Sequence, residues 1–218
     1  MAQVHHDAGD QAGYSSAMKK AVAVVRSKGL LDPKEAVPAM LELVDTQLLC
    51  HDKELAQKTA RAAAEFAEAV TVHWQCCSLS ARCAGYAART GDQATWSRCL
   101  EVSKRAADAV GKNPRYGKHE ARHLYAAAVS VAYAEARDPE NAFSSARDLD
   151  SGVSWGPAPA KVAPVYARVA QSAVLAGKED RSFEEIFQKS YVLACSNLGC
   201  MFSSQRDPTE LSRLLLAQ

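Results

Sequence analysis

The fold is decided by residues 77–106, "CSLSARCAGYAARTGDQATWSRCLEVSKRA". The stretch reads as a helix, a Gly-Asp turn at Gly91-Asp92, and a second helix. Alanine and other small residues recur at helical spacing on both sides of the turn. Gly91 marks the stop of the first helix. Residues 124–150, "LYAAAVSVAYAEARDPENAFSSARDLD", have the same plan around Arg137-Asp138-Pro139. Residues 163–193, "APVYARVAQSAVLAGKEDRSFEEIFQKSYVL", repeat it around Gly177-Lys178-Glu179. Each first helix is alanine-rich and carries a tyrosine. The turns fall at 91, 138 and 178, a spacing of about 40 to 47 residues, within the range of helical-pair repeats.

Outside these segments the same periodicity holds. Met18, Val22 and Val25 make one apolar stripe, and Met40, Leu41, Val44, Leu48 and Leu49 make another. Tyr166, Val169, Ala170, Ala173 and Val174 form a third. Gly29 and Gly177 are expected helix ends. Asp32-Pro33, Asp138-Pro139 and Asp207-Pro208 each place a capping oxygen, a proline at the first helical position and a nearby glutamate. No segment alternates apolar and polar residues in the manner of a strand. The expected fold is all-α, with about ten helices. The expected organisation is a flexible tail over 1–14 and one helical domain over 15–218. The longest expected loop is 150–161, "DSGVSWGPAPAK", with Trp155 anchoring it.

This pattern resembles the tetratricopeptide-type α-solenoid, in degenerate repeats over about residues 75–197. The resemblance rests on the three helix–turn–helix segments. It also rests on small residues Ala84, Ser130 and Ala170 in the first helices, and Ala142 with Ala146 in a second helix. It implies a right-handed stack of antiparallel helix pairs whose first helices form a concave, protein-binding surface. On that resemblance, Arg89, Glu135 and Gln171 are the groove-facing candidates, with Tyr86 and Tyr133 beside them. Packing of both tyrosines between helices is the plainer alternative. A helical bundle of non-repeating origin also fits the spacing.

Composition narrows the function classes. The chain has 218 residues, 48% of them hydrophobic and 23% charged, with 26 basic against 25 acidic residues and a formal charge of +1. Such a balance gives no global signal for nucleic acid. No apolar run reaches the roughly 18 residues of a membrane helix, and the polar N-terminus does not read as a secretory signal. The seven cysteines, Cys50, Cys76, Cys77, Cys83, Cys99, Cys195 and Cys200, are odd in number. Free thiols in a reducing, cytoplasmic compartment are expected.

One motif names a chemistry. His119-Glu120-Ala121-Arg122-His123 is H-E-x-x-H, which sets two imidazoles one helical turn apart for Zn²⁺, with a glutamate as general base. The extended form fails, because Ala126 and Val129 stand where it needs glycine and histidine. Lys118 and Arg122 add positive charge beside a would-be cation. The motif also follows the loop "VGKNPRYGK", so Glu120 suits the positive end of a helix. His73, Cys76 and Cys83 share one helical face, but the spacing lacks the paired C-x₂-C of a structural zinc site. No Gly-rich phosphate loop or nucleophile elbow is present.

The expectation is therefore a non-enzymatic scaffold or adaptor without a cofactor, binding a protein segment. The alternatives are a structural subunit of a larger assembly and a zinc hydrolase built on His119, Glu120 and His123.

Overall fold

A computed structural model describes residues 2–29, 32–115, 117–147, 149, 159–177 and 188. Every regular element among them is an α-helix. In chain order these are α1 (Ala2–Asp7), α2 (Gln11–Gly29), α3 (Pro33–Leu49), α4 (Lys53–Glu68), α5 (His73–Thr90), α6 (Gln93–Gly111), α7 (Gly117–Glu135), α8 (Pro139–Arg147) and α9 (Pro159–Leu175). The 150–158 part of the expected loop with Trp155, the helix start at Asp207-Pro208, and Cys195 and Cys200 lie outside the described residues. So does the second helix of the third expected pair, apart from Gln188.

The hairpins share one turn, and its chemistry explains the fold. At His51, Gly91 and Arg137 the backbone enters the left-handed region, with φ of 59°, 79° and 61°. Each of these N–H groups donates to the carbonyl three residues back. The acceptors are Leu48 at 3.1 Å, Ala88 at 2.9 Å and Ala134 at 3.0 Å. The next residue is an aspartate every time. Its N–H reaches the carbonyl five residues back, on Gln47 at 2.9 Å, Ala87 at 2.8 Å and Tyr133 at 3.0 Å. These bonds satisfy the last carbonyls of the finished helix. The same aspartate then caps the next helix. Asp52 accepts from the Leu55 N–H at 3.1 Å, Asp92 from Thr95 at 3.2 Å and Asp138 from Asn141 at 3.2 Å. Gly9-Asp10, between α1 and α2, makes the same turn: Gly9, with φ of 72°, donates to His6 O at 2.9 Å, the Asp10 N–H reaches His5 O at 2.8 Å, and Asp10 accepts from the Gly13 N–H at 2.8 Å. Gly177, with φ of 66°, begins another by donating to Val174 O at 2.9 Å.

Asp32 departs from the expected cap. It stands before Pro33 at the head of α3, yet its side chain makes no capping bond. One carboxylate oxygen lies 3.9 Å from Lys34 Nζ instead.

The chain divides into two compact units, Met1–Ala128 and Val129–Gln218, with the boundary inside α7. In the first unit neighbouring helices pack sequentially from α1 to α6, and α3 also meets α5 while α4 meets α6. Alternate helices thus form two layers, α3 with α5 and α4 with α6. The seam is made mostly of alanine: Ala56, Ala60, Ala63, Ala67, Ala81, Ala84 and Ala87 are buried, with Val37, Met40, Leu41 and Val44 from α3. Small side chains let helix axes approach closely, which long side chains would prevent. In the second unit α8 packs on α9, around Ala142, Ala146, Tyr166, Val169 and Ala173. Ser130 and Ala170 are buried there too, and the Tyr166 hydroxyl donates to Ala146 O at 3.3 Å.

Residues 2–14, expected as a tail, contain α1 and the start of α2. Tyr14 is buried in a small cluster with Met18 and Cys50. Its ring meets His6 edge-on, and His5 Nδ1 lies 2.9 Å from Asp10 Oδ2. A polar composition concealed one well-placed aromatic.

Candidate functional site

In the first unit, Tyr86 and Arg89 stand three residues apart on α5 and therefore on one face. Both reach across to Asp45 on α3. The Tyr86 hydroxyl donates to Asp45 Oδ2 at 2.6 Å, and Arg89 Nη1 donates to Asp45 Oδ1 at 2.7 Å. The guanidinium carbon also lies 4.9 Å from the centre of the Tyr86 ring, in cation–π range. One carboxylate thus holds two donors, and the three side chains tie the two helices of one layer together. The Arg89 side chain is 13% exposed and that of Asp45 is 41% exposed, so the carboxylate is the part of the network that faces water. Asp45 lay outside the segments that suggested the repeat. The signal that points to it is the His51-Asp52 turn six residues later, which makes α3 and α4 a pair like α5 and α6.

In the second unit, Glu135 is buried at the end of α7, and its Oε1 lies 3.4 Å from Arg168 Nη1 on α9. Tyr133 is half-buried and Gln171 is exposed. Arg168 and Gln171 are three residues apart, so they share a face of α9. Counted from the left-handed residue of each turn, Arg89 and Glu135 occupy the same place, two residues before Gly91 and Arg137. Gln171 stands one helical turn earlier, six residues before Gly177, which is the place Asp45 holds before His51.

The H-E-x-x-H residues open α7 as expected. His119 is exposed, His123 is buried, and their ring centres lie 4.2 Å apart at an interplanar angle of 52°. Burial lowers the His123 pKa below its ordinary value, and the charges of His119 and Arg122 lower it further. Among the described residues no group of three or more His, Cys, Asp or Glu side chains is placed to hold a metal ion.

The cysteine face of α5 is inward. Cys76, Cys77 and Cys83 are buried, and so is Cys99 on α6, while His73 is exposed. All four, together with Cys50, are free thiols. Burial is the leading cause of each shift. It pushes Cys77 up to about 11 and Cys99 up to about 12, raises Cys76, and carries Cys83 well above the thiol range. Cys77 Sγ lies 3.2 Å from Ser103 Oγ, whose hydroxyl donates to Cys77 O at 2.9 Å. A thiol held protonated is a poor nucleophile and a poor metal ligand. These side chains act as compact packing between α5 and α6.

Several ion pairs also bind the helices of the first unit. Arg61 donates to Asp92, Arg98 and Arg105 both reach Glu68, and Lys58 Nζ meets Glu54 at 2.6 Å. Burial alone would raise the Asp92 pKa. Hydrogen bonds from Arg61 and Thr95, with the Arg61 charge, outweigh it and hold that carboxyl below its ordinary value.

Comparison with known proteins finds no matching family model, no matching curated protein and no matching solved structure. No described helix is long and apolar enough to cross a membrane.

Proposed function

We propose that the chain is a non-enzymatic, TPR-like helical-repeat scaffold that binds a protein segment through the first helices of its pairs. The observation that carries this reading is the recurring turn at His51-Asp52, Gly91-Asp92 and Arg137-Asp138, each joining a first helix to a second. A repeated hairpin of this kind supports stacking of pairs and the extended surface that stacking offers. Alanine-rich first helices project few long side chains, so recognition would rest on those few. Among the candidate positions, Gln171 is exposed and Asp45 keeps its side chain 41% exposed, while Tyr86 and Arg89 hold Asp45, Glu135 pairs with Arg168 and Tyr133 is half-buried. Buried free thiols fit a reducing compartment such as the cytoplasm.

Photoreactive residues test this within each unit. In the first unit they are placed at Leu49 at the end of α3 and at Arg98 on α6. In the second they are placed at Gln171 on α9 and at Arg147 on α8. The scaffold reading expects one partner to be captured from Leu49 and Gln171 and not from Arg98 or Arg147. Capture from the second helices alone overturns it.

A second reading, a subunit of a larger assembly, is favoured by the head of α5. There Trp74 is 57% exposed and Val72 is 43% exposed. Large side chains left in water together commonly mark a contact surface. Crosslinking from Trp74 to a stable complex, with Leu49 and Gln171 silent, would select this reading.

A further inference from the structure

Where α6 ends and α7 begins, the first unit encloses a cleft of about 540 Å³. Lys104 and Lys112 line it from α6 and its C-cap, and Lys118 and Arg122 line it from the first turns of α7. Asp108 and Tyr125 complete the polar wall. The basic residues stand eight apart on α6 and four apart on α7, so each pair forms a row on one helix face.

Gly111 brings the rows together. A Cβ added there would lie 2.8 Å from the Ala121 Cβ, closer than two such atoms approach. The last turn of α6 and the opening of α7 therefore meet across a glycine and an alanine, and both residues line the cleft.

Elsewhere among the described residues of this unit six bases are matched with acids, while Lys19, Lys20, Arg26, Lys53 and Arg115 stand singly; only in the cleft do four such bases surround one cavity. Asp32, Asp45, Glu54, Glu68 and Asp92 take Lys34, Arg89, Lys58, Arg98 with Arg105, and Arg61. Among the described residues none of the four bases in the cleft has a carboxylate within ion-pair distance, although Asp108 is one helical turn from both Lys104 and Lys112. Four positive charges around one cavity repel each other, and an anion between them relieves that repulsion.

We propose that this cleft binds a small phosphate ester. The phosphate takes the lysines and the guanidinium, Arg122 supplying the planar fork that matches its oxygens. Asp108 accepts from a hydroxyl of the ester's organic body, and that body lies along the Tyr125 ring. The cavity falls within the size range of sites that enclose small molecules. An extended polyanion would need a longer basic stripe than two short rows provide.

The test is calorimetric titration of the full chain with glucose 6-phosphate and with adenosine 5′-monophosphate, against glucose, adenosine and inorganic phosphate. At least one ester should bind saturably with Kd below about 1 mM, and its unphosphorylated body at least about tenfold more weakly. Lys118→Gln/Arg122→Gln should weaken that binding by about tenfold or more, with helix content unchanged. Lys104→Gln/Lys112→Gln on α6 should do the same, so the outcome does not depend on one helix tolerating substitution. Lys58→Gln, remote and paired with Glu54, should leave it unchanged. The proposal is overturned by any of four results. These are no saturable binding of either ester up to about 10 mM, undiminished binding in both double variants, equal affinity for inorganic phosphate and both esters, or tighter binding of single-stranded RNA than of either ester.

Discussion

The left-handed residue of each hairpin turn should govern stability in opposite directions at different sites. For a residue with a Cβ, the left-handed backbone costs roughly 1–2 kcal/mol. Replacing that residue by glycine removes this cost but loosens the unfolded chain, which returns about 0.4–1 kcal/mol. The net gain is about 0.5–1 kcal/mol per turn, or roughly 2–4 °C in melting temperature at the upper end for a chain of this size. His51 and Arg137 meet the condition, with φ of 59° and 61° and exposed side chains. Both His51→Gly and Arg137→Gly should therefore stabilise. Gly91→Ala should destabilise by a similar amount. Its new Cβ would meet only Lys53 Nζ at 3.4 Å and Cε at 3.8 Å, the far end of a flexible side chain, so strain in the backbone decides the outcome.

The assay is urea unfolding followed by circular dichroism, with His51→Ala as the control that removes the imidazole and keeps the Cβ. That control should change stability by less than about 0.5 kcal/mol. The reasoning fails if His51→Gly destabilises, if His51→Ala matches it, or if Gly91→Ala is neutral. Any of these would mean that the turns are not held by the geometry described above.

Other perturbations probe the packing and the charges. Asp45→Ala should cost about 1–3 kcal/mol in denaturant unfolding, because it removes the ion-pair partner of a mostly buried guanidinium and the Asp45 bond of the Tyr86 hydroxyl; Arg89→Ala/Asp45→Ala should cost less than the sum of its parts. Asp92→Ala should cost about 1–2 kcal/mol and Asp92→Asn less, since asparagine still caps. Because its pKa is lowered in the folded state, the Asp92 contribution is present at neutral pH and lost as pH falls below the unfolded value near 3.8. His123 acts in the other sense: its folded pKa lies below 6.5, so the unfolded chain binds the proton first and stability falls as pH drops from 6.5 toward the folded value. Thermal melts of wild type and His123→Gln should converge at high pH and diverge over that acid window. Cys77, Cys83 and Cys99 should resist thiol reagents in the native protein at neutral pH and react on unfolding, as a timed labelling experiment would show.

The fold was legible where chemistry repeats and obscure where it does not. Gly91 and Asp138-Pro139 are strong punctuation, and both turns lie where the sequence places them. His51-Asp52 makes the same turn without glycine or proline, so neither residue announces it. Its detection requires knowing that aspartate follows the left-handed position in the other turns. Tyr14 was hidden in a similar way: one aromatic among polar residues carries little periodicity, yet it fills the space between α2 and Cys50. The close-packing positions were easier, because Ala84, Ser130, Ala142, Ala146 and Ala170 are small residues within helical stripes, and all are buried.

Side-chain partners across helices were much less legible, and the physical reason bears on function. A helical period places Tyr86 and Arg89 on one face, but it does not say whether that face meets water or another helix. Asp45 decides the matter for both, and Glu135 with Arg168 is the corresponding case in the second unit. Where an acid lies opposite, a base becomes part of the framework and its charge is spent inside the fold. Lys104, Lys112, Lys118 and Arg122 differ because Gly111 draws two basic rows together around one cavity, with Asp108 in its wall but, among the described residues, no ion pair formed to any of the four. Local spacing alone reads those four residues as an ordinary solvated face. The crossing of α6 and α7 turns them into a concentrated positive cleft, and that concentration around one cavity is what makes the cleft a site to be titrated.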